Sequence, residues 1–235
     1  LINQNWNDHL AGTDNMGHLT HMAQRSRVMG AIYFSGIDGA GGDDYTTSAA
    51  GTVTVQCTAG VIYQMHAHNY AAKDTSAGDD IHVVNDFTQN YFETSNLYDI
   101  TTDAAGGMLT NKYFNIVLWG VANKGGEYSP LMVNMPNGQY NTLSDAQSDI
   151  DGNDVFTIPR AFNKESSTGF LIARLTFRRH GGTWDYQSTV DLRGQTPITA
   201  SGGGSGGTIF EYPDNLFRIN DSTDPTKQIA FEAGS

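Results

Sequence analysis

Apolar and polar residues alternate with a period of two along most of this chain, and the alternation predicts strands. In "GTVTVQC" Val53, Val55 and Cys57 project one way and Thr52, Thr54 and Gln56 the other, as in a strand with one buried face. "VMGAIYFSG", from Val28, predicts a strand before it, with "GIDGAGGDD" as the loop between. After the turn "TAG", "VIYQMHAHNY" reads as a strand with Val61, Tyr63, Met65 and Ala67 on one face and Gln64, His66 and His68 on the other. "DIHVVNDF" and "NLYDI" predict further short strands. "KYFNIVLWGVA", residues 112–122, is apolar throughout and predicts a central strand buried on both faces. "NKGGE" supplies a turn into "YSPLMVNM", and "LSDAQSDI" predicts a short helix with Ser144 and Gln147 as a capping box. The strongest hairpin signal is "FLIARLTFRR", the turn "HGGT" and "WDYQSTVDL". It sets Leu171, Ala173, Leu175 and Phe177 inward against Trp184, Tyr186 and Val190, with Arg174, Thr176 and Arg178 opposite. Residues 29–193 therefore predict one all-β domain, an antiparallel β-sandwich or jelly-roll-like fold.

The flanks differ in kind. Residues 1–28 are polar, but Met16, Leu19, Met22 and Ala23 have helical spacing after Asp14 and Asn15, so a short helical or stem segment is expected. Residues 194–207 end in "ASGGGSGG" and read as a flexible linker. In residues 208–235, "TIFEY", "LFRIND" and "KQIAFEA" predict short strands. So few residues cannot close a core alone, which predicts that the segment docks on a neighbour or is completed by other chains. The chain begins at Leu1 rather than Met, the expectation for a processed chain or a section of a longer polypeptide.

Composition narrows the function. The formal charge is −12 with only 13 Lys and Arg, which argues against nucleic acid or an anionic membrane as partner. No apolar run reaches the roughly 18 residues of a membrane span. Cys57 is the only cysteine, so no intrachain disulfide forms and the thiol reads as a small buried hydrophobe.

Few motifs carry chemistry. Gly203, Ser205 and Gly207 match G-x-S-x-G, and Gly202, Gly204 and Gly207 match G-x-G-x-x-G. Both lie in a glycine run without the strand and helix that such motifs need, and no nucleophile and base can be paired, so no enzyme activity is expected. "DIDGND", residues 149–154, resembles half of a calcium loop, but its twelfth position is Arg160, not an acid. That stretch, and the acids of "GIDGAGGDD", read as solvated acidic turns. His66 and His68 share a strand face at i and i+2, and imidazole ligates metals well. Two ligands alone bind weakly, so in a lone monomer the pair reads as the polar outer face of a sheet.

The terminal segment "DNLFRINDSTDPTKQIAFEAGS", with Phe217, Arg218, Ile219, Asp221, Asp224, Thr226, Lys227 and Phe231, resembles short trimeric modules of tailed-bacteriophage tail fibres. "STVDLRGQTP", residues 188–197, is similar to the junction that closes a globular domain in phage fibre-like proteins. The resemblance implies a structural virion protein, a fibre or appendage component. It would be a homotrimer with a C-terminal trimeric β neck, in contact with other virion proteins and with host surface glycan or protein. A capsid decoration or head-fibre protein is the nearest alternative; a tail-associated depolymerase or a carbohydrate-binding module is a more distant one. In a trimer His66 and His68 would give 2 × 3 = 6 nitrogens, suited to an octahedral transition-metal ion on the threefold axis. Such ligands must be neutral, so that site would weaken in acid.

Overall fold

The computed structural model describes residues 31–64, 66–122, 129–163 and 167–195, and the strand backbones at 218–220 and 228–230. The chain divides into two compact units, Leu1–Gly203 and Gly204–Ser235. In the first, the strands in chain order are β1 (Ile32–Gly36), β2 (Thr46–Ala49), β3 (Thr52–Cys57), β4 (Gly60–Gln64), β5 (His66–Tyr70), β6 (Lys73–Asp74), β7 (Ile81–Val84), β8 (Tyr91–Thr94), β9 (Tyr113–Ala122), β10 (Leu131–Asn134), β11 (Thr168–His180) and β12 (Thr183–Asp191). A short helix, α1 (Leu143–Ser148), lies between β10 and β11.

The architecture is an all-β sandwich. A six-stranded sheet has the order β12-β11-β9-β10-β7-β8, and two three-stranded sheets have the orders β1-β4-β5 and β2-β3-β6. The sheets share one core. Val53, Val55, Cys57, Ile62 and Tyr70 of the small sheets meet Phe114, Ile116, Leu118, Ile172, Leu175 and Phe177 of the large one. The alternation of β3 holds as expected, with Val53, Val55 and Cys57 buried. β9 is buried along nearly its whole length between β11 and β10, which explains why it does not alternate. One pairing departs from the antiparallel expectation: β10 runs parallel to β7, with Leu131 opposite Ile81 and Asn134 opposite Val84.

The second face of the six-stranded sheet is also covered. Val117, Trp119, Leu171 and Leu192 pack there against Val155 and Phe162 of the stretch before β11. Arg174 and Thr176, expected opposite the core, do lie on this side but are buried by that cover. Thr176 donates to Asn115 Oδ1 at 2.8 Å, and Asn115 Nδ2 donates to the Ala146 carbonyl of α1 at 2.7 Å. Arg174 donates from its two Nη atoms to the Asp149 and Gln147 carbonyls, although its buried Nε has no partner among the described residues.

Two β-bulges change faces that strict alternation assigns. One lies between Leu171 and Ala173 opposite β9, so Leu171 joins the second cluster while Ala173, Leu175 and Phe177 stay in the main core. The other lies between Thr176 and Phe177, where β12 contributes the extra residue Gln187. Trp184 and Tyr186 therefore face the main core, but Val190, expected beside them, packs on the second cluster. The hairpin turn itself forms as expected, with Gly181 at φ 57° and Gly182 at φ 87°, a conformation that favours glycine at both positions.

Three further expectations are corrected. "NLYDI" is not a strand: Leu97–Asp99 is a 3-10 turn capped by Asn96, whose side chain accepts from Tyr98 N and Val53 N. "VIYQMHAHNY" is not one strand but the hairpin β4–β5, with Gln64 opposite His66. The cap of α1 is Thr142 rather than Ser144; its hydroxyl accepts from Asp145 N.

In the second unit, β13 (Arg218–Asn220) and β14 (Gln228–Ala230) pair antiparallel with Ile219 opposite Ile229, inside the segments expected to be strands. The N-terminal helix, the "NKGGE" turn, the glycine linker and "TIFEY" lie outside the described residues. Among those residues no helix is long and apolar enough to cross a membrane.

Candidate functional site

The register of the β4–β5 hairpin is set by its last residue. Tyr70 is fully buried, edge-on to Phe170 at 5.1 Å, and its hydroxyl donates to the Pro130 carbonyl at 3.2 Å. With Tyr70 inward, the period of two turns His68 and its cross-strand partner Ile62 inward and leaves Ala67, Asn69 and Tyr63 outward. This reverses the expected faces: Tyr63 is exposed and His68 is buried, so the histidines are not on a polar outer face. The two histidines do share a side, with rings 4.2 Å apart, and His66 is exposed while His68 is not. Among the described residues no group of three or more His, Cys, Asp or Glu is placed to hold a metal. One chain thus offers His66 and His68 as at most a pair.

The outer face of the β1-β4-β5 sheet carries an apolar patch on β1 and β4. Ile32 stands opposite Tyr63, and Phe34, two residues on, points out as well, beside a register shift between Tyr33 and Ser35. Phe34 packs edge-on to Tyr63 at 5.1 Å, yet the two remain 62% and 41% exposed, and Ile32 51%.

Below this sheet Arg193, from the "STVDLRGQTP" junction, closes the domain. Its guanidinium donates to the Asp191 and Asp38 carboxylates and to the Gly36 and Ile37 carbonyls, and it lies over the Tyr33 ring. Hydrogen bonds from Arg193 hold the Asp191 carboxyl below the usual range. Asp38 of "GIDGAGGDD" is thus an ion-pair partner, and Asp44, at φ 55°, accepts from Tyr186. In "DIDGND", the Asp149 carboxylate accepts from the Tyr140 hydroxyl and from Asp151 N, and its carbonyl accepts from Arg174. Burial, with the nearby Asp149 carboxylate, pushes the Tyr140 phenol above its ordinary value. These acids close turns, which is the reading their sequence suggests. The glycine-run motifs around Ser205 lie outside the described residues.

A second feature stands at the β7–β8 end. The connecting loop, residues 85–90, is tied down at its base. Asn85, at φ 55°, accepts from Met135 N at 2.8 Å and donates back to the Met135 carbonyl. Asp86 Oδ1 accepts from Thr88 N, Thr88 Oγ1 and Gln89 N, which winds the loop into an Asx turn. Phe87 is displayed at the tip, its ring laid over the bare backbone of Gly106.

Facing this loop is the stretch 155–163, anchored by buried Val155, Pro159 and Phe162. The Phe162 ring meets Tyr91 at 5.0 Å and His82 at 4.3 Å. Phe156, Thr157, Arg160 and Asn163 are left exposed. Between loop and stretch is an open cleft of about 550 Å³. A smaller groove of about 280 Å³ lies on the other side of the loop, sharing Asp86 and Gln89.

Sequence reading missed this cleft, because its walls come from segments some 70 residues apart in the chain that no spacing rule connects. The one local signal was "NDFT", an Asx-turn pattern. No protein-family model, no curated protein and no solved structure matches this chain.

Proposed function

We propose that this chain is a non-enzymatic structural component of a tailed-phage virion, a fibre or appendage protein that works as a homotrimer in attachment. The terminal segment's likeness to trimeric fibre modules supplies the class. The observation that carries the trimer is the outer face of the β1-β4-β5 sheet, where Ile32, Phe34 and Tyr63 stand exposed side by side. Contiguous exposed aromatic and aliphatic surface marks an interaction face, and a second and third copy of the chain would cover it. Ile209, Phe210, Phe217, Ile219, Ile229 and Phe231 of the terminal segment add apolar side chains that so short a module has no core of its own to bury.

His66 and His68 lie on the opposite side of this sheet from Ile32, Phe34 and Tyr63, so a six-imidazole metal site on the threefold axis would require the histidine side, not this face, at the interface. Sedimentation of the purified full chain at micromolar concentration should give three times the monomer mass, and Phe34→Ser with Tyr63→Ser should weaken the assembly. A clean monomer would sink the proposal. Elemental analysis separates the two faces: an outer-face trimer should carry no ion, whereas about one ion per three chains, lost in His66→Ala, would put the histidine side at the axis instead.

A further inference from the structure

The cleft between the β7–β8 loop and the stretch 155–163 has the make-up of a ligand site, and its chemistry selects a class of ligand. Its size falls in the range of small-molecule clefts, roughly 300–1,000 Å³. Its walls carry one acid and one base, Asp86 and Arg160, so the lining has no net charge although the chain carries −12. An anionic polymer is repelled by the protein as a whole, and a cation gains nothing here that other acidic surface would not give. What the cleft does concentrate is side-chain amide. Asn85, Gln89, Asn90 and Asn163 all line it, each able to donate and accept.

Asn85 spends both amide atoms on the Met135 backbone and holds the loop in place. The amides of Gln89, Asn90 and Asn163 make no side-chain hydrogen bond among the described residues and face outward. Phe156 adds an exposed aromatic ring on the opposite wall. Amides suit hydroxyl groups, which are donor and acceptor at once, and an aromatic face suits the C–H side of a pyranose ring. The loop is fixed before binding by Asn85 and by the Asp86 turn, so little ordering is required when a ligand enters.

We infer that this cleft binds an uncharged oligosaccharide, with Gln89, Asn90 and Asn163 reading hydroxyls and Phe156 supporting a ring. The site rests on the attachment reading only for the source of the sugar, not for its geometry. The test uses the full chain on an array of immobilised neutral and uronate- or sialate-bearing oligosaccharides, followed by titration calorimetry with the strongest neutral glycan retained. Gln89→Ala, Asn163→Ala and Phe156→Ala change exposed side chains, so their melting temperatures should match the parent. Each should weaken binding by about tenfold or more, the worth of about one lost hydrogen bond or ring contact, while Asp185→Asn on β12, at the opposite edge of the six-stranded sheet, leaves it unchanged.

Retention of acidic glycans alone, retention of none at millimolar concentration, or affinity indifferent to the three cleft variants would each overturn the site. Sedimentation on the same samples separates this from the trimer. A monomer that binds neutral glycan through the cleft keeps the site and loses the assembly; a trimer that binds none keeps the assembly and loses the site.

Discussion

Gly120, near the end of β9, is a position where one added methyl should be costly. Its neighbours are the Phe170 and Tyr70 rings, set edge to face at 89° with centroids 5.1 Å apart. A Cβ on Gly120 would fall 2.3 Å from Phe170 Cζ and 2.9 Å from Tyr70 Cε2. Both contacts are well inside van der Waals distance, and both rings are buried. Tyr70 is further held by its bond to the Pro130 carbonyl. Overpacking of this kind costs about 1–3 kcal/mol. Against it stands a gain of about 0.5–1 kcal/mol from removing glycine's freedom in the unfolded chain. The net expectation for Gly120→Ala is a loss of roughly 1–2 kcal/mol. It should be read from urea denaturation curves followed by tryptophan fluorescence, at constant slope. Phe170→Leu removes the atom that clashes most, so the same methyl should cost less in that background, a coupling of about 1 kcal/mol. A Gly120→Ala protein as stable as the parent, or a double variant whose effects simply add, would show that the rings are not locked as described.

Other outcomes follow from single groups. His82 is buried, with Nδ1 3.1 Å from the Leu131 carbonyl and Nε2 3.4 Å from Glu93, and burial lowers its pKa despite the raising influence of the Leu131 bond, Glu93 and Asp80. The unfolded chain therefore takes up that proton first: stability is full above about pH 6.5 and falls below it, with a slope of up to about 1.4 kcal/mol per pH unit for one proton. His82→Phe should flatten that part of a pH–stability curve; an unchanged slope would clear His82 of the role. Arg193→Ala should cost about 1–3 kcal/mol through loss of its charge-assisted bonds, and Arg193→Lys should restore less than half, because an ammonium cannot span two carboxylates and two carbonyls. Full rescue by lysine in a thermal melt would contradict the fork geometry. Burial pushes the Cys57 thiol up to about 11, so a thiol reagent at pH 8 should label it only after denaturant is added; labelling of the native protein at the rate of a free thiol would refute its burial.

The strands were legible wherever one face is buried and the other wet. β3 alternates in sequence as it does in space, and the apolar run of β9 announces a strand covered on both sides. Faces were lost where a bulge shifts the register. Val190 reads as an inward neighbour of Trp184 and Tyr186 until Gln187 is inserted opposite β11, after which the same period of two points it to the other cluster. A single extra residue leaves no mark on composition or period, so alternation alone cannot locate it. The parallel pairing of β10 with β7 was likewise hidden, since both are short apolar runs and their partner choice depends on how the chain between them is routed.

The candidate sites were legible to different depths for one physical reason. His66 and His68 are two residues apart on one strand, so their shared side is a property of the backbone, and the rings do meet at 4.2 Å. Which side they share is a tertiary matter. It is decided by Tyr70, whose ring fills the space beside Phe170 and above Gly120, and nothing within "HAHNY" states that Tyr70 outweighs Tyr63 as the buried ring. The cleft lies at the far extreme. Asn85 and Asp86 spend their side chains on holding the loop, Phe162 and Val155 anchor the facing stretch, and only then are Gln89, Phe156 and Asn163 left pointing at the same space. Residues that build such a place are polar turn formers and ordinary core apolars in sequence. Their common purpose exists only in the fold, where the groups that fix the walls and the groups that face the ligand become distinguishable by what each is already bonded to.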